Sequence, residues 1–377
     1  MSIDAKAAMK VVEDGLQVVS TAFAEKDASL NAMSLQVDGL SAANVALQAQ
    51  LDTANATIAD LKAKLEPKPP APKTVKDYGV VGDGIKDDTA AMQAALDAGV
   101  RDVPAGKYLI DPAKSLLVRD GVQVKADPNA ILLCKANALP RYYIVRLVGA
   151  KSAWTGGQIM GDRDRHTYTA GSTHEWGYGA MLSGDGASLT DCVIDGCTGD
   201  GIGVSGDNVT LRNVVSKRNR RQGLSVFACK GFRAYNCQFN DTKGTAPQAG
   251  VDFEPDNGAV LDAVMENCIA KNNSTAGFMA WVRAEVAGNV EVTLKNCNTE
   301  GNANGIQGKG LNGKALMRVE GGNHVNRSAG VRSEDGCTVT LVASTFSFAG
   351  KPVSFAQQWA VQKVGTGQVV QTGVVYK

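Results

Sequence analysis

Six short segments of this chain can be laid over one another: Asp200-Gly201-Ile202, Gln222-Gly223-Leu224, Ala249-Gly250-Val251, Ala276-Gly277-Phe278, Asn304-Gly305-Ile306 and Ala329-Gly330-Val331. Each sets a glycine before an apolar residue, and successive copies lie ~22 to ~28 residues apart, the length of one coil of a solenoid. A coil this thin cannot bury an apolar face alone; stacking on its neighbours supplies the core. The intervening Val, Thr, Asn and Gly favour short strands and turns, and the repeats of leucine-rich or helical solenoids are not matched. The pattern therefore predicts an all-β right-handed parallel β-helix.

A second periodicity supports that reading. Cys192, Cys237, Cys268 and Cys297 recur at one phase of successive repeats, after Asp191, Asn236, Asn267 and Asn296. An antiparallel sandwich would accommodate the short strands but does not explain the shared cysteine phase. None of the eight cysteines forms a Cys-x-x-Cys unit, and a chain of this length needs no disulfide staples, so a reduced, buried ladder of small apolar side chains is expected. Three histidines in the whole chain argue against a histidine-rich metal site.

The N-terminal region follows a different rule. Val12, Leu16, Val19, Phe23, Leu30, Met33, Val37, Leu40, Leu47, Leu51, Ala54, Ile58, Leu61 and Leu65 fall at alternating steps of three and four, interrupted at seam positions by Lys26 and Asn44. Such a sustained heptad stripe predicts one long helix that self-associates as a coiled coil. Glu66-Pro67-Lys68-Pro69-Pro70-Ala71-Pro72 then ends it, because proline lacks the amide hydrogen and biases the preceding residue away from helical angles. The expected organisation is a coiled-coil stalk over 1–66, a proline-rich linker over 67–74 and a β-helix over 75–377, capped by a short helix near 88–98.

Lysine plus arginine number 39 and aspartate plus glutamate 38, so net charge recruits neither nucleic acid nor an anionic membrane. No stretch reads as a membrane-spanning helix, and Met1 leads into an amphipathic segment rather than a secretion signal. Nucleic-acid binding and membrane insertion are not expected.

Local constellations carry the candidate chemistry. In Val251-Asp252-Phe253-Glu254-Pro255 alternate side chains share a face, so Phe253 points inward and Asp252 and Glu254 outward, their α-carbons roughly 6.6 Å apart. Two carboxylates so placed reach either separation used by glycosidases, ~5 to 5.5 Å for retention or ~6.5 to 9.5 Å for inversion. Mutual proximity would raise one pKa and leave an acid beside a base. Asp200, in the glycine column two coils earlier, is a candidate third carboxylate. Lys217, Arg218, Arg220 and Arg221 form a basic cluster between them, and Arg220 and Arg221, with the adjoining Gln222, are candidates to grip an acidic sugar. Trp281 with Arg283 and Glu285 continues the outward face, and Trp176, Tyr178 and His174 sit in a glycine-rich stretch, Ser172 to Gly179, read as a loop over the groove. His166 and His174 are weaker acid or base candidates. Calcium held by oxygen ligands is the only cofactor left open.

The stretch from Val75-Lys76-Asp77-Tyr78-Gly79 through Gly82-Asp83-Gly84-Ile85-Lys86-Asp87-Asp88-Thr89 to Ala94 resembles the opening signature of the pectate-lyase-like superfamily, particularly its members in bacteriophage tailspikes, polysaccharide lyases and, more distantly, mannuronan C5-epimerases. Gly161-Asp162-Arg163-Asp164-Arg165-His166, His174-Glu175-Trp176-Gly177 and Asn219-Arg220-Arg221-Gln222-Gly223 are similar to segments of β-helix glycan enzymes. The epimerases carry Asp-Pro-His-Glu after Tyr-Gly-Phe, whereas this chain has Val251-Asp252-Phe253-Glu254-Pro255 without a histidine, which weighs against that activity. The resemblance implies a tailspike-like polysaccharide depolymerase at the host surface. It would be trimeric, attached through its stalk to a tail or baseplate protein, and would act on an acidic capsular polysaccharide or lipopolysaccharide. Hydrolysis by the paired carboxylates is the expected reaction. A lyase or C5-epimerase acting on a uronate polymer, or a non-catalytic glycan-binding spike, are the alternatives.

Overall fold

The computed structural model describes residues 3–65, 73–286, 288–311, 313–348 and 350–377. The chain divides into two compact units, Met1–Ala71 and Pro72–Lys377. The first is one helix, α1 (Ile3–Leu65). At 1.5 Å per residue it is about 95 Å long, and its heptad residues Leu16, Phe23, Leu30, Met33, Leu40, Leu47 and Leu51 are all exposed. No helix among the described residues is long and apolar enough to cross a membrane. Most of the predicted linker, residues 67–72, lies outside the described residues.

The second unit is the predicted solenoid. Among the described residues its strands form three parallel sheets, two of twelve strands and one of ten. The ten-stranded sheet contains all six glycine-marked segments. In chain order its strands are β1 (Leu116–Val118), β2 (Arg141–Leu147), β3 (Trp176–Leu182), β4 (Ile202–Val204), β5 (Gln222–Val226), β6 (Ala249–Phe253), β7 (Ala276–Val282), β8 (Asn304–Gly310), β9 (Ala329–Ser333) and β10 (Val361–Lys363). Parallel pairing brings Ile202, Leu224, Val251, Phe278, Ile306 and Val331 into one register column. All six are completely buried, and burying each contributes about 1.5–3 kcal/mol. The adjoining column, Gly203, Ser225, Asp252, Met279, Gln307 and Arg332, faces the other way.

The turns explain the cysteine phase. Asp191, Asn213, Asn236, Asn267 and Asn296 all adopt positive φ, between 49° and 55°, a left-handed conformation that Asn and Asp tolerate best among residues with a side chain. The residue after each turns inward, giving Cys192, Val214, Cys237, Cys268 and Cys297, all buried. These cysteines are free thiols, and burial pushes Cys192 up to about 12, which keeps the thiol protonated and unreactive. The sequence reading missed a second, interior ladder. Asn219, Asn273, Asn302 and Asn326 are buried; Asn302 Oδ1 accepts from Asn273 Nδ2 at 2.9 Å, and Asn302 Nδ2 donates to Asn326 Oδ1 at 3.0 Å.

The capping helix is α2 (Thr89–Asp97), which buries Met92, Ala95 and Leu96 and holds β1 through Gln93, whose side chain accepts from Leu117 N at 2.7 Å and donates to Leu117 O at 3.1 Å. The two aspartates before it do different work. Asp87 Oδ1 accepts from Thr89 N and Oγ1, at 3.0 and 2.6 Å. Asp88 instead ties down the preceding turn, accepting from Val81 N and Gly82 N at 2.7 and 2.8 Å.

Candidate functional site

Strands β4, β5 and β6 carry the acids to one place. Asp252 sits on β6, Glu254 follows directly after it, and Asp200 precedes β4 in the register column of Gln222. Arg221, just before β5, joins two of them. Its Nη1 donates to Asp200 Oδ2 at 2.9 Å and to Glu254 Oε1 at 3.3 Å, while Nη2 donates to Glu254 Oε2 at 3.3 Å. Asp200 and Glu254 are thus held within the span of two hydrogen bonds. The third carboxylate joins through side chains of β5. Gln222 Nε2 donates to Asp252 Oδ2 at 2.9 Å, and the Ser225 hydroxyl lies between Gln222 Oε1 and Asp200 Oδ2, 2.8 Å from the latter.

These acids are not a solvated ladder: Asp200, Asp252 and Glu254 are 0%, 1% and 5% exposed. Burial disfavours their charged forms. It raises Asp200 to about 7, against the opposing pull of Arg221. Burial, and then the neighbouring Glu254, hold Asp252 well above the usual carboxylate range. Burial raises Glu254 too, with Arg221 opposing the shift most strongly. Hydrogen-bond directions agree with a protonated Asp200. The single Ser225 proton faces two acceptors, and an Asp200 that keeps its own proton donates to Ser225 and frees that hydroxyl to donate to Gln222.

The cluster opens onto a hollow of about 430 Å³ lined by Arg221, Asp252, Glu254, Met279, Trp281, Arg283 and Gln307, with Pro247 and Thr275 at its edge. Trp281 stands on β7, with the Lys309 ammonium 5.4 Å from its ring centre. A second hollow of about 320 Å³ shares Arg283 and is lined by Arg141, Tyr143, Trp176, Tyr178, Met181, Phe227, Asp256 and Asn257. The sequence signal for this second hollow is the alternation Trp176-Gly177-Tyr178-Gly179, expected as part of a loop. It is strand β3. Gly177 and Gly179 face inward, where a side chain would collide with Tyr142 and with Ile194 and Cys197, and glycine in a strand marks such close approach.

Other expectations need correction. Arg220 does not face the acids: its Nη1 donates to the carbonyls of Thr173, His174 and Thr198 at 2.9, 3.3 and 3.4 Å, and its guanidinium stacks 4.7 Å from the Tyr168 ring centre. It braces the 163–174 segment from below. His174 is 1% exposed and touches no groove. Its Nδ1 meets His166 Nε2 at 2.8 Å, and His166 Nδ1 meets Asp162 Oδ2 at 2.8 Å, a buried chain completed by Tyr142 and Thr198 on Asp162 Oδ1. Gln222 is fully buried and orients Asp252 instead of meeting a ligand. Lys217 and Arg218 pair with Asp195 at 3.7 and 2.6 Å. β7 ends at Val282, so Arg283 and Glu285 do not continue its face; Arg283 reaches the groove from a turn, donating from Nε to Asp256 Oδ1 at 3.0 Å.

Arg221 supplies positive charge between Asp200 and Glu254, and among the described residues no three His, Cys, Asp or Glu side chains are grouped to hold a metal.

Comparison with known proteins agrees with this architecture. The family described as "Right handed beta helix region" matches residues 162–346, and that described as "Rhamnogalacturonase A/epimerase, pectate lyase-like" matches residues 73–159. The chain is 31% identical to YclG of Bacillus subtilis (strain 168) over 216 residues, 47% of this chain and 37% of that protein. It is 28% identical to mannuronan C5-epimerase AlgE1 of Azotobacter vinelandii over 230 residues, 55% of this chain and 14% of that protein. It thus spans less than half the length of these relatives. The Dettilon tailspike protein superposes with a TM-score of 0.59, at 15% identity, over 79% of this chain and 62% of that one. With its coils in register, the chain is a right-handed parallel β-helix protein, similar to the pectate-lyase-like family over residues 73–159 and to the right-handed β-helix family over residues 162–346.

Proposed function

We propose that the ten-stranded face binds a bacterial surface polysaccharide and cleaves it by glycosidic hydrolysis, as a tailspike-like depolymerase. The observation that carries this reading is three buried carboxylates beside an open hollow, two of them joined by the Arg221 guanidinium and the third held by Gln222. Glycoside hydrolysis needs one carboxyl group that holds a proton at neutral pH and another that stays ionised. Among the described residues no arginine bonds Asp252, and burial holds its pKa well above the usual range, so it is assigned as the general acid. Glu254 accepts both Arg221 nitrogens and is assigned as the base or nucleophile. Asp200 shares Arg221 with Glu254 and sets how much of that positive charge Glu254 receives. Trp281, on the rim, offers an apolar face to a sugar ring.

The exposed apolar stripe of α1 supports self-association, and the tailspike likeness favours a trimer carried on a tail or baseplate protein. Sedimentation as a monomer at micromolar concentration would reject that assembly. For the reaction, purified candidate host polysaccharides are incubated with the protein and the products read by mass and linkage analysis. Hydrolysis gives shortened chains that have gained water. Unsaturated termini would identify a lyase, and unchanged length with inverted uronate stereochemistry an epimerase. Saturable binding with no product would identify an adhesin.

A further inference from the structure

The hollow ahead of the acid cluster has features that the cleavage reading does not use. Its floor exists because β4 lacks a side chain at Gly203: a Cβ there would lie 2.7 Å from Met181 Sδ, 3.1 Å from the Phe227 ring and 3.3 Å from the Tyr178 ring. Its wall is aromatic and rigid. Tyr143 and Tyr178 stack with ring centres 5.3 Å apart at 16°, and Phe227 meets Tyr178 edge-on at 6.2 Å. Trp176, 40% exposed, stands at the mouth with the Arg141 guanidinium stacked 4.6 Å from its ring centre.

The charges are unbalanced. Arg283 is neutralised by Asp256, 2.8 Å away, whereas Arg141 has no carboxylate partner among the described residues, and the buried Nε of Arg146, whose guanidinium lies 5.0 Å from the Tyr143 ring centre, has no hydrogen-bond partner. Stacking fixes the Arg141 plane while leaving its edge free, the state in which arginine accepts a carboxylate through parallel bonds. At about 320 Å³ the space suits a sugar unit, near the lower limit of ligand pockets at ~300 Å³.

We propose that this hollow is a subsite for one carboxylated sugar of the polymer, its ring over Tyr178 and Phe227 and its carboxylate on Arg141, with Arg283 marking the passage to the acid cluster. The proposal rests on the cleavage reading above but assigns acid recognition to Arg141, four coils from the residues that react. Arg221 is committed to Asp200 and Glu254, and Arg220 to backbone carbonyls.

The test uses the intact protein and a panel of purified acidic bacterial capsular polysaccharides, each also after chemical reduction of its carboxyl groups to alcohols. On the polymer that is cut, Arg141→Ala should weaken binding about tenfold for the native form and less than about twofold for the reduced form. Trp176→Ala should weaken both forms alike, and Gly203→Val, which fills the floor, should abolish binding of both. Equal affinity of wild-type protein for native and reduced polymer, or an Arg141→Ala variant that binds the native polymer normally, overturns the subsite while leaving cleavage intact. A panel in which nothing is bound or cut overturns the cleavage reading and the subsite with it. Both substituted side chains at the mouth are solvent-facing, so unchanged melting of Arg141→Ala and Trp176→Ala separates these outcomes from misfolding.

Discussion

Two columns of the ten-stranded sheet, one residue apart along every strand, obey opposite rules. The inward column reads Ile202, Leu224, Val251, Phe278, Ile306, Val331, six apolar side chains in succession. The outward column reads Gly203, Ser225, Asp252, Met279, Gln307, Arg332, and no two are alike. Both share one backbone and one register. Repetition in the first column lets each coil pack on the next, which is what a stacked parallel sheet requires. The second column is released from that demand by facing away from the core, and its variety makes a gap at Gly203, a hydrogen-bonding link at Ser225 and an acid at Asp252.

The comparison is broken most severely at the acids. Asp252→Asn and Glu254→Gln keep size and register but remove proton transfer, so each should slow cleavage roughly 10²- to 10⁴-fold with little change in melting temperature; near-parental rates in folded variants would show that the outward column is not the catalytic one. In the wild type, activity should fall as pH rises through about 7, where Asp200 loses its proton and draws on the Arg221 charge that it shares with Glu254.

The reverse experiment attacks the inward column. Phe278→Ala empties a fully buried site and should cost about 3–5 kcal/mol, read by denaturant unfolding, while any protein that remains folded keeps its affinity for polymer. Loss of affinity before loss of stability would mean that the two columns are not independent.

A smaller effect sharpens the contrast at a buried titrating residue away from the groove. His324 is buried, stacks on Phe346 with ring centres 4.9 Å apart, and has its pKa lowered to about 4, chiefly by burial. The unfolded chain binds its proton near pH 6.5 and the folded chain does not, so stability is retained above ~6.5 and lost as pH falls toward 4. The loss amounts to about 3 kcal/mol, and His324→Leu should flatten that part of the stability–pH curve; an unchanged slope would assign acid lability elsewhere. Smallest is Arg220→Ala. It removes donors to three carbonyls and should cost about 1 kcal/mol, with affinity for acidic and neutral polymers changed equally. A selective loss on the acidic polymer would return Arg220 to the binding surface.

The repeat was legible because stacking forces similar residues to recur at similar spacing. That is why the glycine-marked segments and the cysteine phase located the sheet and the turns, and why Asp252 and Glu254 could be placed outward by alternation alone. The buried asparagines were not legible, because Asn reads as a turn residue until its amide is seen joined to the next coil. Arg220 and Arg221 are adjacent in sequence, yet successive residues point to different surroundings, and only Arg221 enters the acids. The Trp176 strand was hidden by Gly177 and Gly179, whose role is to make room for Tyr142 and Cys197 across coils. Nothing in residues 141–146 advertised a contribution to a groove built chiefly from segments farther along the chain.

Parallel stacking also sets a scale along the groove. Neighbouring strands lie ~4.7–4.9 Å apart, so the separation between the Arg141 strand and the Asp252 strand is an integral multiple of that step. Gaining or losing one whole coil between β2 and β6 would shift the anion-binding mouth relative to the acids by one such increment, without disturbing the packing of either end. The chain length of the released fragments would then change in jumps, as on a ruler with fixed divisions.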